Sequence, residues 1–285
     1  MKKIPCLLIV LLLLLTTIGC TQNQKVKSLP GYDLTNPTTF TMPAVLDEIS
    51  GIAFKNGNAD TIYAEQDEEG KLFYFHLGDK EVSHTKFAKK GDYEDVAVCN
   101  NYVIMLKSDG VFYTFPVAGI YNKDAGNVNE QAGLLPEGEY ESLYADESNS
   151  SLYVLCKNCS NDKSGETISG HVLQINAEGK LQLKNDFVIN AKAVAALEAA
   201  KNIRLKPSAL AKHPVTKEWF IVSSVNKVLL VTDSSWKPLH LYKLNPALFT
   251  QPEGIAFDKA GNLYISNEVG EGLNGTILQF LYKKK

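Results

Sequence analysis

The segment at residues 251–268 reads QPEGIAFDKAGNLYISNE. It contains two short runs of β-branched, aromatic and other apolar residues, separated by a turn of Asp, Lys, Ala, Gly and Asn. This pattern is typical of a β-hairpin. Variants of the first run occur at four earlier places in the chain. The five copies lie at residues 48–54, 92–98, 140–145, 206–211 and 251–257.

Each copy begins a longer repeat. One aligned position in the copies recurs at intervals of 44, 47, 67 and 45 residues. After each copy come a turn, a second strand-like run and a third run, and a weaker fourth run follows, as at residues 82–87 and 239–244. Four strands in a period of about 45 residues are the signature of a propeller blade. We therefore predict an all-β fold, a five-bladed β-propeller of four-stranded antiparallel blades.

Two features modify this regular ring. The interval of 67 residues leaves room for a short helical insertion near residues 190–204, which are rich in the helix formers Ala, Leu and Lys. A degenerate sixth blade is the alternative. The last repeat ends before a fourth strand, and residues 38–44 form a strand-like run ahead of the first repeat. We expect that run to complete the last blade and remove an exposed edge, so that the propeller domain spans residues 38–285.

The aligned position predicts a metal site. It lies at the start of the innermost strand of each blade, so its side chains should converge on the central channel. Its members are Ser50, Glu94, Glu141, Ser208 and Glu253. Three carboxylates in a narrow channel repel one another unless a cation or protons neutralise them, and an all-oxygen set suits Ca²⁺ better than zinc or copper. The alternative is a structural column that bonds to neighbouring blades and water without a metal.

A second polar group is expected at the mouth of the same channel, where the second strands end. These channel-mouth candidates are Asp67, Lys107, Lys157, Ser224 and Glu268. Mixed carboxylates and ammonium groups can carry out acid–base chemistry, or they can be paired and solvated loop charges. The sequence contains no HExxH pair, Walker loop, dinucleotide-binding glycine pattern or nucleophile elbow. We therefore assign no catalytic residue.

The first residues resemble a lipoprotein export signal. A lysine pair precedes an unbroken apolar run at residues 7–15, which is too short for a transmembrane helix. The Thr-Ile-Gly-Cys that follows resembles the lipobox of bacterial lipoproteins, in which Cys20 is lipidated and becomes the first mature residue. A plain signal peptide is the alternative. We expect a signal peptide at residues 1–19 and a lipidated cysteine with its tether at residues 20–37.

That anchor predicts a location at the cell envelope. Surface-displayed lipoproteins often have acidic residues directly after the cysteine. The tether of this chain is polar and has no such acidic cluster. We therefore expect an outer-membrane lipoprotein that faces the periplasm rather than the cell surface.

Two further cysteines, Cys156 and Cys159, form a C-x2-C pair. A zinc knuckle needs a second such pair, which the sequence lacks. A local disulfide and two free thiols remain as alternatives. Cys99 lies in a strand-like run and is expected to pack as a small apolar residue.

The repeats resemble the SdiA-regulated family of bacterial propeller proteins, which are distantly similar to NHL-type propellers. The segments that carry the resemblance are EISGIAF, YEDVAV and QPEGIAFDKAGNLYISNE. The resemblance implies a five-bladed propeller with a calcium site at the three glutamates of the column, and no established activity. Asp95, Ser142 and Ala209 stand where the family commonly has glycine. The column is also similar to the calcium ring of the calcium-activated nucleotidases.

The charge composition narrows the function classes. The chain has 29 Lys and Arg against 32 Asp and Glu, a net charge of −3, and its only arginine is Arg204. Such a protein lacks the bidentate arginine clamps and the positive potential that nucleic-acid binding needs. We expect a monomeric, lipid-anchored, calcium-bound propeller that binds a protein or small-molecule ligand, and we favour a binding role over an enzymatic one.

Two other functions stay open. The first is a calcium-dependent hydrolase of a phosphate ester, nucleotide or lactone, which would act at the channel mouth. The second is a structural interaction module whose cation and channel are incidental. A nucleotidase would need a phosphate pocket rich in arginine or lysine, and the single arginine weighs against it.

Overall fold

The computed structural model describes residues 28–163, 165–197, 203–270 and 274–284. Within them it contains one α-helix, α1 (Ala191–Leu197). The strands, in chain order, are β1 (Thr38–Thr41), β2 (Ile49–Lys55), β3 (Asn58–Gln66), β4 (Lys71–Phe75), β5 (Ser83–Lys86), β6 (Tyr93–Cys99), β7 (Tyr102–Lys107), β8 (Phe112–Pro116), β9 (Asn129–Gln131), β10 (Gly138–Asp146), β11 (Ser151–Cys159), β12 (Thr167–Ile175), β13 (Leu181–Asn190), β14 (Ala209–Lys212), β15 (Trp219–Ser223), β16 (Val228–Thr232), β17 (Pro238–Lys243), β18 (Pro252–Phe257), β19 (Leu263–Asn267) and β20 (Thr276–Phe280).

These strands form five four-stranded antiparallel sheets. The first four sheets, which we call blades 1 to 4, each consist of consecutive strands from β2 to β17. Blade 5 has the order β1-β20-β19-β18, and β1 pairs with β20 in a register that places Thr38 opposite Gln279. The five-bladed propeller is therefore confirmed, and its closure by the N-terminal strand agrees with the expectation. No sixth sheet occurs among the described residues.

Five apolar clusters hold the ring together, one between each pair of neighbouring blades. Successive side chains of a strand face opposite sides of the sheet, so each blade contributes to two clusters. In β18, Ile255 packs toward Phe220 of blade 4, whereas Ala256 packs toward blade 1 with Ile52. The alternating apolar runs of the repeats therefore give each blade two buried faces.

The irregular segments agree in part with the expectations. The helix α1 confirms a helical insertion near residues 190–204, of which residues 198–202 lie outside the described residues. The predicted signal peptide and the lipidated Cys20 also lie outside the described residues. Part of the segment predicted as a tether is packed against the propeller, since Leu29 and Tyr32 are buried and the Tyr32 hydroxyl donates to the Gly261 carbonyl at 2.5 Å.

The C-x2-C pair forms the local disulfide that the sequence left as one of two alternatives. Cys156 and Cys159 form a disulfide at the end of β11, which excludes two free thiols. Cys99 is a free thiol with no exposed surface, in the cluster between blades 2 and 3. Burial raises its pKa to about 12, so it behaves as an apolar core residue.

Candidate functional site at the acidic end of the channel

The innermost strand of each blade is the first one in the repeat. Strands β2, β6, β10, β14 and β18 contact one another in sequence around the ring, and each is followed by an antiparallel second strand. The starts of the innermost strands and the ends of the second strands therefore share one end of the channel. We call this end the acidic mouth, after its carboxylates Glu48, Asp67, Glu94, Glu141, Glu253 and Glu268. The tight turns between first and second strands form the opposite end, which we call the turn end.

A β-bulge re-aims the column residues at the acidic mouth. The pairing between first and second strands shifts register in four blades, at the position of the column. A bulge leaves its residue without a ladder partner and turns its side chain out of the regular alternation. The shifts fall between Ile49 and Ile52, between Tyr93 and Asp95, between Tyr140 and Ser142, and between Pro252 and Gly254.

Neighbouring blades approach closely at these bulges. A Cβ atom at Gly254 would lie 2.2 Å from the Ser266 hydroxyl and 2.4 Å from the Ser50 carbonyl, so a larger residue has no space there. Asp95 takes the equivalent place in blade 2, where a glycine was expected. Its Oδ2 accepts the Leu143 N–H of blade 3 at 2.6 Å. The departure from the family pattern therefore replaces a close backbone approach with a hydrogen bond between blades.

Hydrogen bonds of the column continue from blade to blade. The Ser266 hydroxyl donates to the Ser50 carbonyl at 2.5 Å, and the Ser50 hydroxyl donates to the Glu94 carbonyl at 3.0 Å. The Ser208 hydroxyl donates to Glu141 Oε2 at 3.3 Å. Together with the bond from Leu143 to Asp95, these contacts link blade 5 to 1, 1 to 2, 2 to 3, and 3 to 4. The column therefore links neighbouring blades, as in the structural alternative that the sequence left open.

Blades 4 and 5 are joined through Glu253. Burial raises the pKa of Glu253, and interactions with the Ser208 and Ser224 side chains offset this only in part. Ser224, predicted at the mouth, is buried and its N–H donates to the Ser208 hydroxyl at 3.3 Å. The column thus forms a closed polar ring, in which Ser50, Glu141 and Ser208 are almost fully buried.

Lys157 lies against this ring. Its ammonium forms an ion pair with Glu141 Oε1 and lies 3.5 Å from Glu139 Oε1. The Lys157 and Glu141 side chains are 20% and 7% exposed. Sequence analysis placed Lys157 at the mouth and Glu141 in the metal site, and the structure brings the two into contact. One carboxylate of the column therefore has a lysine as its counter-ion.

Three other carboxylates meet beside the ring. One oxygen each of Glu48, Asp67 and Glu268 lie within 4.8 Å of one another, and all three side chains are half-buried. Asp67 and Glu268 are predicted mouth residues, but sequence analysis missed Glu48. A signal for it exists in the repeat, because the position two residues before the column is acidic in three copies, as Glu48, Asp92 and Glu139. Lys107 does not join the cluster, since it pairs with Asp109 at 2.5 Å.

The electrostatics of the mouth show that it is short of positive charge. Burial, together with repulsion from Asp92, raises the pKa of Glu94 to about 8. Burial, together with repulsion from Glu253, raises the pKa of Glu268 to about 8. The pKa of Asp67 rises to about 6 through burial and the nearby Glu48. Protons or a cation are needed to neutralise these groups at neutral pH.

The three-carboxylate cluster fits a calcium ion. The Asp67 Oδ1 atom is buried and has no hydrogen-bond partner among the described residues, which is costly unless the atom meets a ligand. Carboxylate oxygens without nitrogen or sulfur donors suit Ca²⁺, which takes six to eight oxygen ligands and accepts waters for those that the protein does not supply. Glu48, Asp67 and Glu268 would hold the ion, which would neutralise the charge that raises their neighbours' pKa values.

Comparison with protein families supports the resemblance seen in the repeats. The family model described as SdiA-regulated matches residues 172–270, a stretch that extends from β12 to the end of β19. The resemblance to that family is thereby confirmed over these residues. No curated protein matches the chain. Within the described residues, no helix combines the length and apolar character needed to cross a membrane.

Solved structures match across most of the propeller. The glutaminyl cyclase of Myxococcus xanthus has a TM-score of 0.55 at 12% identity, covering 87% of this chain and 96% of that one. A luciferin-regenerating enzyme has a TM-score of 0.53 at 9% identity, covering 86% and 95%. The calcium-binding protein regucalcin from Agrobacterium tumefaciens str. C58 has a TM-score of 0.51 at 10% identity, covering 90% and 96%. At these identities the similarity shows the fold alone.

Proposed function

We propose, from the family resemblance and the geometry of the acidic mouth, that this chain is an envelope-anchored propeller that binds one calcium ion at Glu48, Asp67 and Glu268. The ion fixes the acidic mouth, and the propeller serves as a binding or scaffolding module. The observation that carries the proposal is the buried Oδ1 of Asp67, which lacks a hydrogen-bond partner among the described residues and belongs to a cluster of three carboxylates.

The choice of this cluster over the column follows from their counter-ions. In the column, Glu141 is paired with Lys157, and Ser208 bonds to the same carboxylate. The three carboxylates of the cluster form no ion pair among the described residues. A divalent cation therefore gains more at the cluster, where it replaces protons and repulsion rather than an existing ammonium. Calcium at the column itself stays a prediction.

A binding module is favoured over a hydrolase by the same contacts. The polar groups of the column are hydrogen-bonded between blades. The Ser208 hydroxyl donates to Glu141, but it also accepts the Ser224 N–H, and the Glu141 carboxylate is paired with Lys157, so both groups are already engaged in structural contacts. A calcium ion at the mouth then stabilises the ring instead of activating water. The hydrolase alternative predicts turnover of a phosphate ester or lactone that depends on calcium and disappears in Asp67→Asn.

Calcium titration of the protein from Ser28 onward tests the proposal. Isothermal titration after removal of metal should give one ion per chain, and calcium should raise the melting temperature because it binds the native state. Asp67→Asn and Glu268→Gln should each weaken calcium affinity at least tenfold. Glu69→Gln is the matched control, since Glu69 lies in the same turn as Asp67 but pairs with Lys71 at 2.7 Å.

The outcomes separate the sites. Unchanged affinity in Asp67→Asn and Glu268→Gln, with loss in Glu94→Gln or Glu253→Gln, would move the ion to the column. No binding to the wild type would contradict the calcium proposal altogether.

We propose that the anchor is a lipid on Cys20, which would hold the protein at the outer membrane, facing the periplasm. The N-terminal sequence supports this, through the apolar run and the lipobox-like Thr-Ile-Gly-Cys. In a Gram-negative host, Cys20→Ser should release the protein from the membrane fraction. Protease added to intact cells should leave the wild type uncut if it faces the periplasm and should degrade it if it faces the medium.

A further inference from the structure

The turn end of the channel opens into a cavity of about 450 Å³. Each innermost strand contributes a large aliphatic residue to its wall, two positions after the column. These residues are Ile52, Val96, Leu143, Leu210 and Ile255. Of the described residues that line the cavity, none belongs to the column, and the buried polar ring lies beyond its inner end. The cavity is therefore lined by residues other than those of the acidic mouth.

Lysines surround the entrance of this cavity. Lys212, Lys217 and Lys259 line the cavity where the turns between first and second strands meet. Lys212 pairs with Asp146 at 3.3 Å and lies over the Trp219 ring. Neither Lys217 nor Lys259 forms an ion pair with a carboxylate of the described residues. Two ammonium groups at the rim are therefore available to an incoming anion.

The acidic groups at the rim accept hydrogen bonds from residues of the turns. Glu147 Oε1 accepts the Asn56 N–H at 2.5 Å. The Asp258 carboxylate accepts the Asn262 N–H at 2.8 Å and the Asn262 side-chain amide at 2.7 Å, and it also bonds to the Tyr264 hydroxyl. These contacts fix the turns. Burial raises the pKa of Glu147, and the nearby Lys55 and Lys259 lower it in part. Neither Lys217 nor Lys259 forms a close ion pair with a carboxylate of the described residues.

The backbone at Lys217 is unfavourable for a lysine. Its φ is +63°, in the left-handed region where Gly and Asn are the usual residues. Its ammonium donates to the Pro214 carbonyl at 2.6 Å, which uses one of three donors. Seven other non-glycine residues among those described also have a positive φ, most of them in turns.

We propose that this cavity binds an amphiphilic organic anion, with its carboxylate on Lys217 and Lys259 and its apolar body along the channel wall. Pockets of roughly 300 to 1,000 Å³ with apolar walls and a few charged groups are typical small-molecule sites. The five aliphatic side chains of the innermost strands supply the apolar contact, and the two ammonium groups set the sign and position of the ligand's charge. The site does not depend on calcium at the acidic mouth.

Titration with three probes tests this inference in the protein from Ser28 onward, whose described part forms the closed ring. Octanoate carries both the charge and the chain, acetate the charge alone, and 1-octanol the chain alone. We expect octanoate to bind one per chain and at least tenfold more tightly than either partial probe. The affinity for octanoate should be the same with calcium and with chelator. The test of this cavity therefore remains valid even if the calcium proposal fails. Equal binding of octanoate and 1-octanol, or of octanoate and acetate, would overturn it.

Two variants locate the site. Lys217→Asn and Lys259→Gln together should weaken octanoate binding at least tenfold. Asn is favoured at the φ of Lys217, so melting should show Lys217→Asn to be at least as stable as the wild type, and weakened binding cannot then be attributed to misfolding. Lys80→Asn, which changes an exposed lysine outside the cavity, is the matched control. Unchanged octanoate binding in the double variant would contradict the proposal.

Discussion

The two ends of the central channel are made by the same strands but differ in charge. The turn end has Glu147 and Asp258 beside its lysines, whereas the acidic mouth is short of positive charge. The acidic mouth gathers six carboxylates around Lys157 and Lys227, and the pKa of Lys227 is itself lowered by burial. The turn end presents three lysines around an apolar cavity. Both sets converge because every blade places its strand starts at one end and its first turn at the other. The repeat therefore decides where side chains meet, and the residue type at each end decides what can bind there.

The ends also differ in how far their charges are compensated. At the acidic mouth, Glu94 and Glu268 have pKa values raised to about 8 because they are buried beside other carboxylates. At the turn end, Lys217 and Lys259 extend at a rim in contact with solvent, where an unpaired charge costs little. An unfilled acidic mouth is therefore a burden on stability, whereas an unfilled turn end is not.

The largest effect is expected at Lys157. Lys157→Met leaves the buried Glu141 carboxylate without its counter-ion, and breaking a buried pair in this way costs about 3 to 5 kcal/mol. Urea denaturation at pH 8 should show that loss in the free energy of unfolding. Lys192→Met is the control, because Lys192 pairs with Glu166 at the surface and its loss should cost no more than about 1 kcal/mol. Equal losses of stability in the two variants would show that the ion pair at the mouth contributes no more than a surface ion pair.

The second effect is a pH dependence to which the acidic mouth contributes. The pKa values of about 8 for Glu94 and Glu268 and about 6 for Asp67 lie above those of the unfolded chain. The folded state then holds protons that the unfolded chain has lost, so stability is full below the unfolded pKa values and falls as pH rises through the folded ones. In chelator, the free energy of unfolding should fall by at least about 2 kcal/mol between pH 5 and 8.

Calcium and one variant sharpen this test. Calcium should remove most of the loss, because it binds the deprotonated carboxylates more tightly as pH rises. In chelator at pH 8, Glu268→Gln should be more stable than the wild type, since it removes one of the repelling charges. A flat pH profile in chelator would mean that the mouth carboxylates are not repelling one another in the folded state.

A smaller effect is expected from the disulfide next to Lys157. The Cys156–Cys159 bond closes a short loop, and a loop of this size contributes about 2 kcal/mol by restricting the unfolded chain. Reductant should lower the melting temperature of the wild type accordingly. The double variant Cys156→Ala/Cys159→Ala should already melt at the lower temperature and should not respond to reductant. A response in that variant would assign the effect to something other than this disulfide.

The smallest effect is expected at the turn end. Lys259→Gln removes an exposed rim charge that forms no close ion pair among the described residues, so the free energy of unfolding should change by no more than about 0.5 kcal/mol. Urea denaturation of this variant beside Lys157→Met compares one lysine from each end directly. A loss of more than about 1 kcal/mol would show that the turn-end lysines stabilise the fold.

The sequence predicted the fold because the repeats carry it redundantly. The spacing of the column gave five blades, and the strand-like run ahead of Glu48 gave the closing strand β1. The disulfide was one of two open alternatives, because a C-x2-C pair alone does not report the distance between its sulfurs. The structure brings the predicted mouth residues Asp67 and Glu268 to one end of the channel, since both directly follow a second strand.

The contacts within the site were harder to predict. The pairing of Lys157 with Glu141 depends on the bulge at Tyr140, and a bulge of one residue reverses the face on which a side chain lies. Glu48 was missed because it precedes the first strand of its repeat, where carboxylates are common on surfaces. The sequence did not predict a site at Lys217 and Lys259, because lysines in turns are usually solvated. Only the meeting of several blades gives these residues a shared environment.

The most direct test of the acidic mouth is a crystal structure of the protein from Ser28 onward grown with calcium, with the ion identified by its anomalous signal. The account predicts one ion with carboxylate oxygens of Glu48, Asp67 and Glu268 at about 2.3 to 2.6 Å, while Lys157 remains paired with Glu141. An ion held instead by Glu94, Glu141 and Glu253, with Lys157 displaced, would contradict the account, as would the lack of any ion at this end.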